Sequence, residues 1–149
     1  KGDDQMSENG TYTGACFCGA VEIKAEGEPF IMGFCHCDSC RHWSGAPVSA
    51  FSLWQPDALA VTKGADNVLT YNRTPDSFRS SCNKCGGHLY SSHPEKGFVD
   101  IYPPLLPGLQ FVPVMHVNYG EAVVHIKDGL PKFRDLPTDG GGSSKFMKE

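Results

Sequence analysis

The chain has 149 residues, 40% hydrophobic and 20% charged, which is enough to bury a core without covalent staples and ordinary for a soluble globular protein. Thirteen Lys and Arg stand against seventeen Asp and Glu, a net charge of −4, and the basic residues are scattered singly, so the electrostatic footprint of nucleic-acid binding is missing. No apolar run approaches the roughly 20 residues of a membrane span, and the polar start "KGDDQMSENGTYTG" carries no apolar signal-peptide core, so a cytoplasmic protein is expected.

Residues 1–10 are expected to be a disordered N-terminus or an expression remnant, with Met6 in the place of a natural start. One zinc-binding domain is expected over residues 11–136. The pattern "AVEIKAEG" (20–27) alternates apolar and polar residues, "PFIMGFCHC" (29–37) leads into a cysteine cluster, and "APVSAFSLW" (46–54) alternates again. Each predicts a strand. Between the last two, "DSCRHWSG" predicts one short helical turn, with Asp38 as N-cap and Gly45 as stop.

Further strands are predicted in "NVLTYNRT" (67–74), "SFRSS" (77–81), "GGHLYSS" (86–92) and "GFVDIYP" (97–103). The proline-rich "PPLLPGLQFVP" predicts an irregular loop. "VMHVN" and "AVVHIKDGLPKF" follow as two more strand-like pieces. From Pro137 on, "PTDGGGSSKFMKE" offers little to bury and predicts a flexible tail over 137–149. Short strands at this spacing make a mainly β protein, a partly closed sheet or sandwich.

All seven cysteines, Cys16, Cys18, Cys35, Cys37, Cys40, Cys82 and Cys85, lie in the first 85 residues. An odd number without an export signal speaks against a disulfide framework, and clustered thiols in reducing surroundings usually hold metal. The C-x-x-C of "SSCNKCGGHLY" has the form of a zinc knuckle, in which a tight turn aims two thiolates at one point. Cys16 and Cys18 are the best partners for it, because residues i and i+2 of an extended chain project to one side. Cys16, Cys18, Cys82 and Cys85 then make a closed four-sulfur site that clasps distant parts of the chain.

Cys35, Cys37 and Cys40 remain. Three protein ligands and one exchangeable position are the pattern of a catalytic zinc, so water or a substrate atom would complete this second centre. His36 or His42 as a fourth ligand is the alternative that closes it. His36, between two cysteines of an extended strand, should turn its ring away from them. Redox activity at Cys82 and Cys85, or burial of some cysteines as small hydrophobes, are further alternatives. Three thiolates weaken the ion as a Lewis acid and favour exchange of a soft sulfur ligand, which points to thiol or thioether substrates rather than simple hydrolysis.

The blocks "TGACFCGAVEI", "FCHCDSCRHWSGAPVSAF", "FRSSCNKCGGHLY" and "MHVNYGEAVVHIKDGLPKF" resemble the glutathione-dependent formaldehyde-activating enzyme family, which includes centromere-protein-V-like proteins, from about Thr13 to Phe133. The resemblance implies an Mss4-like fold, mainly β, with partly open sheets, zinc knuckles and few short helical turns. It implies two Zn2+ per chain, a structural one at Cys16, Cys18, Cys82 and Cys85 and a catalytic one at Cys35, Cys37 and Cys40. The implied activity joins glutathione and formaldehyde into S-hydroxymethylglutathione, a carbon–sulfur lyase reaction in either direction. Partners would be a small thiol and an aldehyde.

Near these cysteines, Arg41 and Arg79 are candidates to hold a glutathione carboxylate, and His42 and His116 to shuttle a proton, with Ser44 a further neighbour. Trp43, Trp54 and Phe17 read as core or pocket wall. Two other functions remain open on the residues: a lyase on another thiol adduct, and a non-enzymatic zinc module that binds a protein partner.

Overall fold

A computed structural model describes residues 10–149; the expectation for residues 1–9 lies outside the described residues. The chain divides into two compact units, one built from the chain up to Phe30 and Ser52–Phe111, the other from Ile31–Phe51 and Val112–Glu149. The protein is mainly β. Among the described residues, no helix is long and apolar enough to cross a membrane.

In the first unit, β1 (Thr11–Ala15), β2 (Glu22–Glu26) and β5 (Leu59–Lys63) form an antiparallel sheet in the order β1-β2-β5. A second antiparallel ladder joins the end of β4 (Ser49–Trp54) to β9 (Phe98–Ile101), β8 (His88–His93), β7 (Ser77–Cys82) and β6 (Val68–Thr74). Alternation decides which faces meet. Tyr12, Ile23, Ala25, Val99 and Ile101 are the buried members of their strands and share one core with Val21, Trp54, Leu89 and Leu106.

Trp54 is fully buried at the centre of this core. Its indole N–H donates to Ser52 Oγ at 2.9 Å, and that hydroxyl passes the bond on to the Ile101 carbonyl. Tyr12 packs edge-on against it with ring centroids 5.7 Å apart. The one polar atom of the largest buried ring is therefore satisfied.

The second unit is built on β3 (Ile31–Cys35), α1 (Asp38–Ser44), the one α-helix among the described residues, and the short β10 (His116–Val117), which runs parallel to β3 with His116 opposite Phe34 and Val117 opposite Cys35. The predicted helical turn is present, but its N-cap is Cys37 and not Asp38. The Cys37 sulfur accepts the Cys40 N–H at 3.2 Å, so a thiol takes the place expected for a carboxylate and Asp38 falls in the first turn. Gly45 ends the helix in the left-handed region (φ 65), with its N–H on the Arg41 carbonyl.

"AVVHIKDGLPKF" is not a strand; only isolated bridges at Lys132 and Phe133 remain of it. Its backbone groups are taken by side chains: Ile126 N–H donates to Tyr119 Oη, and Asp128 accepts the Leu130 N–H, an Asx turn that breaks extension. Residues 137–149, expected as a flexible tail, make contacts with Lys132 and Phe133. Phe146 pairs with Phe133, with ring centroids 4.7 Å apart, Met147 N–H reaches the Lys132 carbonyl, and Glu149 accepts from Lys132 Nζ at 2.8 Å. The aromatic and charged residues near the end supply what the glycine run lacks.

Two predictions follow from the first unit's core. Trp54→Ala should cost about 3–5 kcal/mol in urea unfolding followed by circular dichroism, whereas Leu69→Ala on the exposed strand β6 should stay within about 0.5 kcal/mol. Asp100 on β9 accepts the Ser52 N–H at 3.1 Å. Burial pushes its pKa up from 3.8 to about 7, against the Ser52 amide and Arg79, which pull it down. Between those two values the folded chain holds a proton that the unfolded chain has released, so this group's contribution to stability falls as pH rises from about 4 to about 7. Asp100→Asn should remove that part of the slope, read as the difference in urea midpoints between wild type and variant at the two ends of the window.

Candidate metal centres

The first cluster sits where two hairpin ends of the first unit come together. Cys16 and Cys18 lie in the loop between β1 and β2, which closes through Cys16 N–H to Val21 O at 2.9 Å. Cys82 ends β7 and Cys85 lies in the turn to β8, closed by Gly86 N–H to Cys82 O at 2.8 Å. Gly86 has φ 73, a conformation a side chain would strain, and this lets the turn fold back so that both sulfurs point one way. The four sulfurs all lie within 4.8 Å of one another.

This donor set fits a tetrahedral zinc. At a Zn–S bond of about 2.3 Å, tetrahedral sulfurs stand about 3.8 Å apart, and Cys16–Cys18 and Cys18–Cys82 are separated by 3.7 and 3.9 Å. Backbone amides also point at sulfur: Val21 to Cys16 at 3.3 Å, Lys84 to Cys82 and Gly87 to Cys85 at 3.4 Å. Such donors stabilise thiolate.

The titration behaviour agrees. Burial opposes the Cys16 thiolate, yet the Val21 amide and the Cys82 and Cys18 thiols outweigh it and hold its pKa down at about 6. For Cys18 the Ala20 amide favours thiolate, but desolvation and the sulfurs of Cys85, Cys16 and Cys82 push the pKa up to about 11. One sulfur gives up its proton readily and the next resists, because negative charges at one point repel. A divalent cation relieves that repulsion.

The second cluster belongs to the second unit. Cys35 ends β3, Cys37 caps α1 and Cys40 lies in the helix, and their three sulfurs again lie within 4.8 Å. The Cys37 and Cys40 thiols, then burial, drive the Cys35 pKa far above the usual thiol range. The same crowding of like charges is at work. The cluster can hold a metal through three sulfurs.

His36 is fully buried and turned away from these sulfurs: its Nε2 meets His116 Nδ1 at 2.8 Å. His116, also fully buried, reaches Asp128 Oδ2 through Nε2 at 2.8 Å. Asp128 and Glu149 in turn share the ammonium of Lys132, whose surface is 2% exposed. For neutral rings the carboxylate fixes both tautomers: His116 donates to Asp128 and accepts from His36, leaving a lone pair on His36 Nδ1, which has no hydrogen-bond partner among the described residues. Burial, aided by His116 and the cations Lys132 and Arg41, holds the His36 pKa down at about 4. The ring is therefore uncharged at neutral pH.

The other residues singled out from the sequence fall in different places. Arg41 is half-buried and braces the ligand loop, donating from Nε to the His36 carbonyl at 3.0 Å with Asp38 3.7 Å from its terminal nitrogen. His42 is exposed on α1. Ser44 accepts the Ala46 N–H and meets Ser49 Oγ at 3.3 Å, a role in the turn after the helix. Arg79 belongs to the first unit, on β7 opposite Tyr71 and Ser91, where its charge helps to lower the His88 and His93 pKa values, in both cases after burial. Phe17, between Cys16 and Cys18, is 96% exposed and is not core.

Sequence reasoning did not single out Asn118, Tyr119, Glu121, Asp128, Lys132 or Glu149. Asn118 donates to Cys35 Sγ at 3.5 Å, Glu121 accepts the Asp38 N–H at 2.6 Å, and the Tyr119 ring stands edge-on to His36 with centroids 4.8 Å apart. The only local signal was "VNYG", in which Asn precedes a turn.

A family model described as glutathione-dependent formaldehyde-activating enzyme matches residues 11–119, which take in both cysteine clusters. An uncharacterized lyase of Schizosaccharomyces pombe is 34% identical over 82 residues, 55% of this chain and 58% of that protein. A protein of Emericella nidulans, provisionally named as a glutathione-dependent formaldehyde-activating enzyme, is 28% identical over 99 residues, 62% of this chain and 50% of that one. The matches thus span little more than half the length of these relatives. A crystal structure of a Rhodobacter sphaeroides protein shares the fold, with a TM-score of 0.56 and 23% identity over 66% of this chain and 90% of that one. Since the family model covers well over half of the sequence and holds all seven cysteines within its bounds, the chain belongs to the glutathione-dependent formaldehyde-activating enzyme family.

Proposed function

We propose that the protein is a zinc-dependent carbon–sulfur lyase that makes and breaks the adduct of glutathione with formaldehyde. The observation that carries this reading is the unequal sulfur count: four converge in the first unit and three in the second. Four sulfurs complete a tetrahedral ion, whereas three leave one position for a ligand from outside the chain. A zinc held there lowers the pKa of a thiol presented to it and so supplies thiolate at neutral pH.

The chain's own residues would do the rest. Cys35, Cys37 and Cys40 fix where the substrate sulfur arrives, and their negative charge favours exchange of a soft ligand over activation of water. In the forward direction a sulfur electron pair forms the S–C bond and the carbonyl π pair moves to oxygen. The proton released by the thiol ends on that oxygen, and in reverse the C–S bond breaks and the proton returns to sulfur. His42, exposed two residues after Cys40, would carry this proton through solvent. Arg41 offers its terminal N–H groups to a carboxylate of the tripeptide. His116, with both ring nitrogens engaged, supports His36 in this scheme and does not carry the proton. Seven free thiols suit the reducing cytoplasm.

Metal counting by native mass spectrometry should find two zinc ions in the wild type and one in Cys40→Ser, which should keep its fold. Cys82→Ser should instead unfold the first unit, because a structural zinc contributes on the order of 10 kcal/mol, comparable with the entire stability of a domain. Thiols add to formaldehyde unaided, so the activity is best read as exchange: with glutathione and 13C-formaldehyde, magnetisation-transfer NMR should show adduct turnover above the buffer rate for wild type and at the buffer rate for Cys40→Ser. Wild-type turnover equal to that of buffer, with both zinc ions in place, would remove the lyase assignment.

A further inference from the structure

We infer that Asn118 is a positioning residue of the three-sulfur centre, holding the Cys35 thiolate by a side-chain hydrogen bond that sets how tightly and in what geometry that centre binds its metal. The inference rests on the proposed reading of Cys35, Cys37 and Cys40 as a metal site.

Asn118 has φ 53 and ψ 35, one of two non-glycine residues at positive φ among those described. Left-handed backbone costs most side chains about 1 kcal/mol or more and Asn least, because its short amide tolerates the conformation. Here the conformation is pinned from both sides. The Asn118 N–H donates to the Asp135 carbonyl at 2.6 Å, and the Asn118 carbonyl accepts the Glu121 N–H at 3.0 Å. Asp135 is itself held by Ser143, whose N–H and hydroxyl both donate to Oδ1. The backbone is thus fixed before the side chain is considered, and Nδ2 lies 3.5 Å from Cys35 Sγ.

The surrounding residues converge on the same loop. Val117 O accepts the His36 N–H at 3.1 Å, Tyr119 stands against the His36 ring, and Glu121 Oε2 takes the Asp38 N–H at 2.6 Å. Five consecutive positions from 117 to 121 therefore include four that touch residues 35–38. Asn118 is the one that reaches a ligand sulfur. A donor on a thiolate draws off part of its charge and fixes its rotamer, and outer partners of this kind typically change metal affinity 10–100-fold when removed.

Two variants keep the left-handed backbone and change only the donor. Asn118→Gly removes the carboxamide, and Asn118→Asp replaces it with a carboxylate that repels thiolate. The full-length protein loaded with zinc would be titrated with a chromophoric chelator, resolving the two ions, and the cobalt-loaded forms compared by their sulfur-to-cobalt charge-transfer bands. We expect Asn118→Gly to weaken one of the two ions by about 10-fold or more, Asn118→Asp to weaken it further, and the cobalt band of that centre to shift. The ion bound by Cys16, Cys18, Cys82 and Cys85 should be unaffected. Unchanged affinities and spectra in both variants, or equal weakening of both ions, would overturn the inference while leaving the lyase proposal standing. A wild-type chain that binds one zinc only would overturn both.

Discussion

Thiolates brought to within a few ångströms repel one another, and both cysteine clusters are organised around that constraint. Cys16 is held down while Cys18 beside it is pushed up, and Cys35 is pushed up by its two sulfur neighbours, because charges gathered at one point repel. A cation at the common point would turn the repulsion into attraction and couple metal binding to the local fold. In the first unit the consequence is mechanical. The β1–β2 loop and the β7–β8 turn, whose cysteines are 64 residues apart, meet at sulfurs 3.9 Å apart, and the two sheets share a core beside them.

The second unit solves a different problem, holding the loop of residues 35–40 in place through a network anchored on the buried Lys132 ammonium. Asp128 is kept well below the usual carboxylate range; burial works against this, but Lys132, His116 and the Leu130 amide prevail. Lys132 is held above its usual range by Asp128 and Glu149, again against burial. Both groups therefore stay charged across the neutral range. Only the Lys132 end of these pairs is buried, while Asp128 and Glu149 keep part of their surface in solvent; losing both carboxylates would leave a buried ammonium unpaired, which is costly. The chain of contacts fixes geometry: Asp128 orients His116, His116 orients His36, and His36 lies between Cys35 and Cys37 in the sequence.

Much of this was legible in the sequence where the signal is short-range. The C-x-C and C-x-x-C spacings bring sulfurs together through a single turn, and the apolar–polar alternation of "VEIKAE" within "AVEIKAEG" marks a strand with one buried face. β5 escaped notice because "LAVTK" carries only two large apolar residues and owes its place to pairing with β2. The N-cap falls one residue earlier than expected because capping preferences describe oxygen side chains, and the Cys37 sulfur takes their place by accepting the Cys40 N–H. The polar network was invisible for a simpler reason. His36 meets His116 across 80 residues and Cys35 meets Asn118 across 83, and nothing local distinguishes those partners from other histidines and asparagines. The contacts of the final segment were hidden in the same way: its glycine run shows little to bury, while Phe146 and Glu149 reach back to Phe133 and Lys132.

The two clusters also differ in where their sulfurs find hydrogen-bond donors, and this difference bears on chemistry. At the first, Val21, Lys84 and Gly87 present main-chain amides that come with the turns themselves; such donors persist through almost any substitution. At the second, Cys37 has the helix amide of Cys40, but Cys35 draws on a carboxamide from a distant turn. A centre whose charge is quenched by fixed backbone is suited to permanence. On the proposed reading, a centre whose charge depends in part on a side chain would be adjustable by a single substitution, as exchange of a soft external ligand requires. Three sulfurs with a side-chain donor would then suit exchange, as four sulfurs with main-chain donors would suit a clasp.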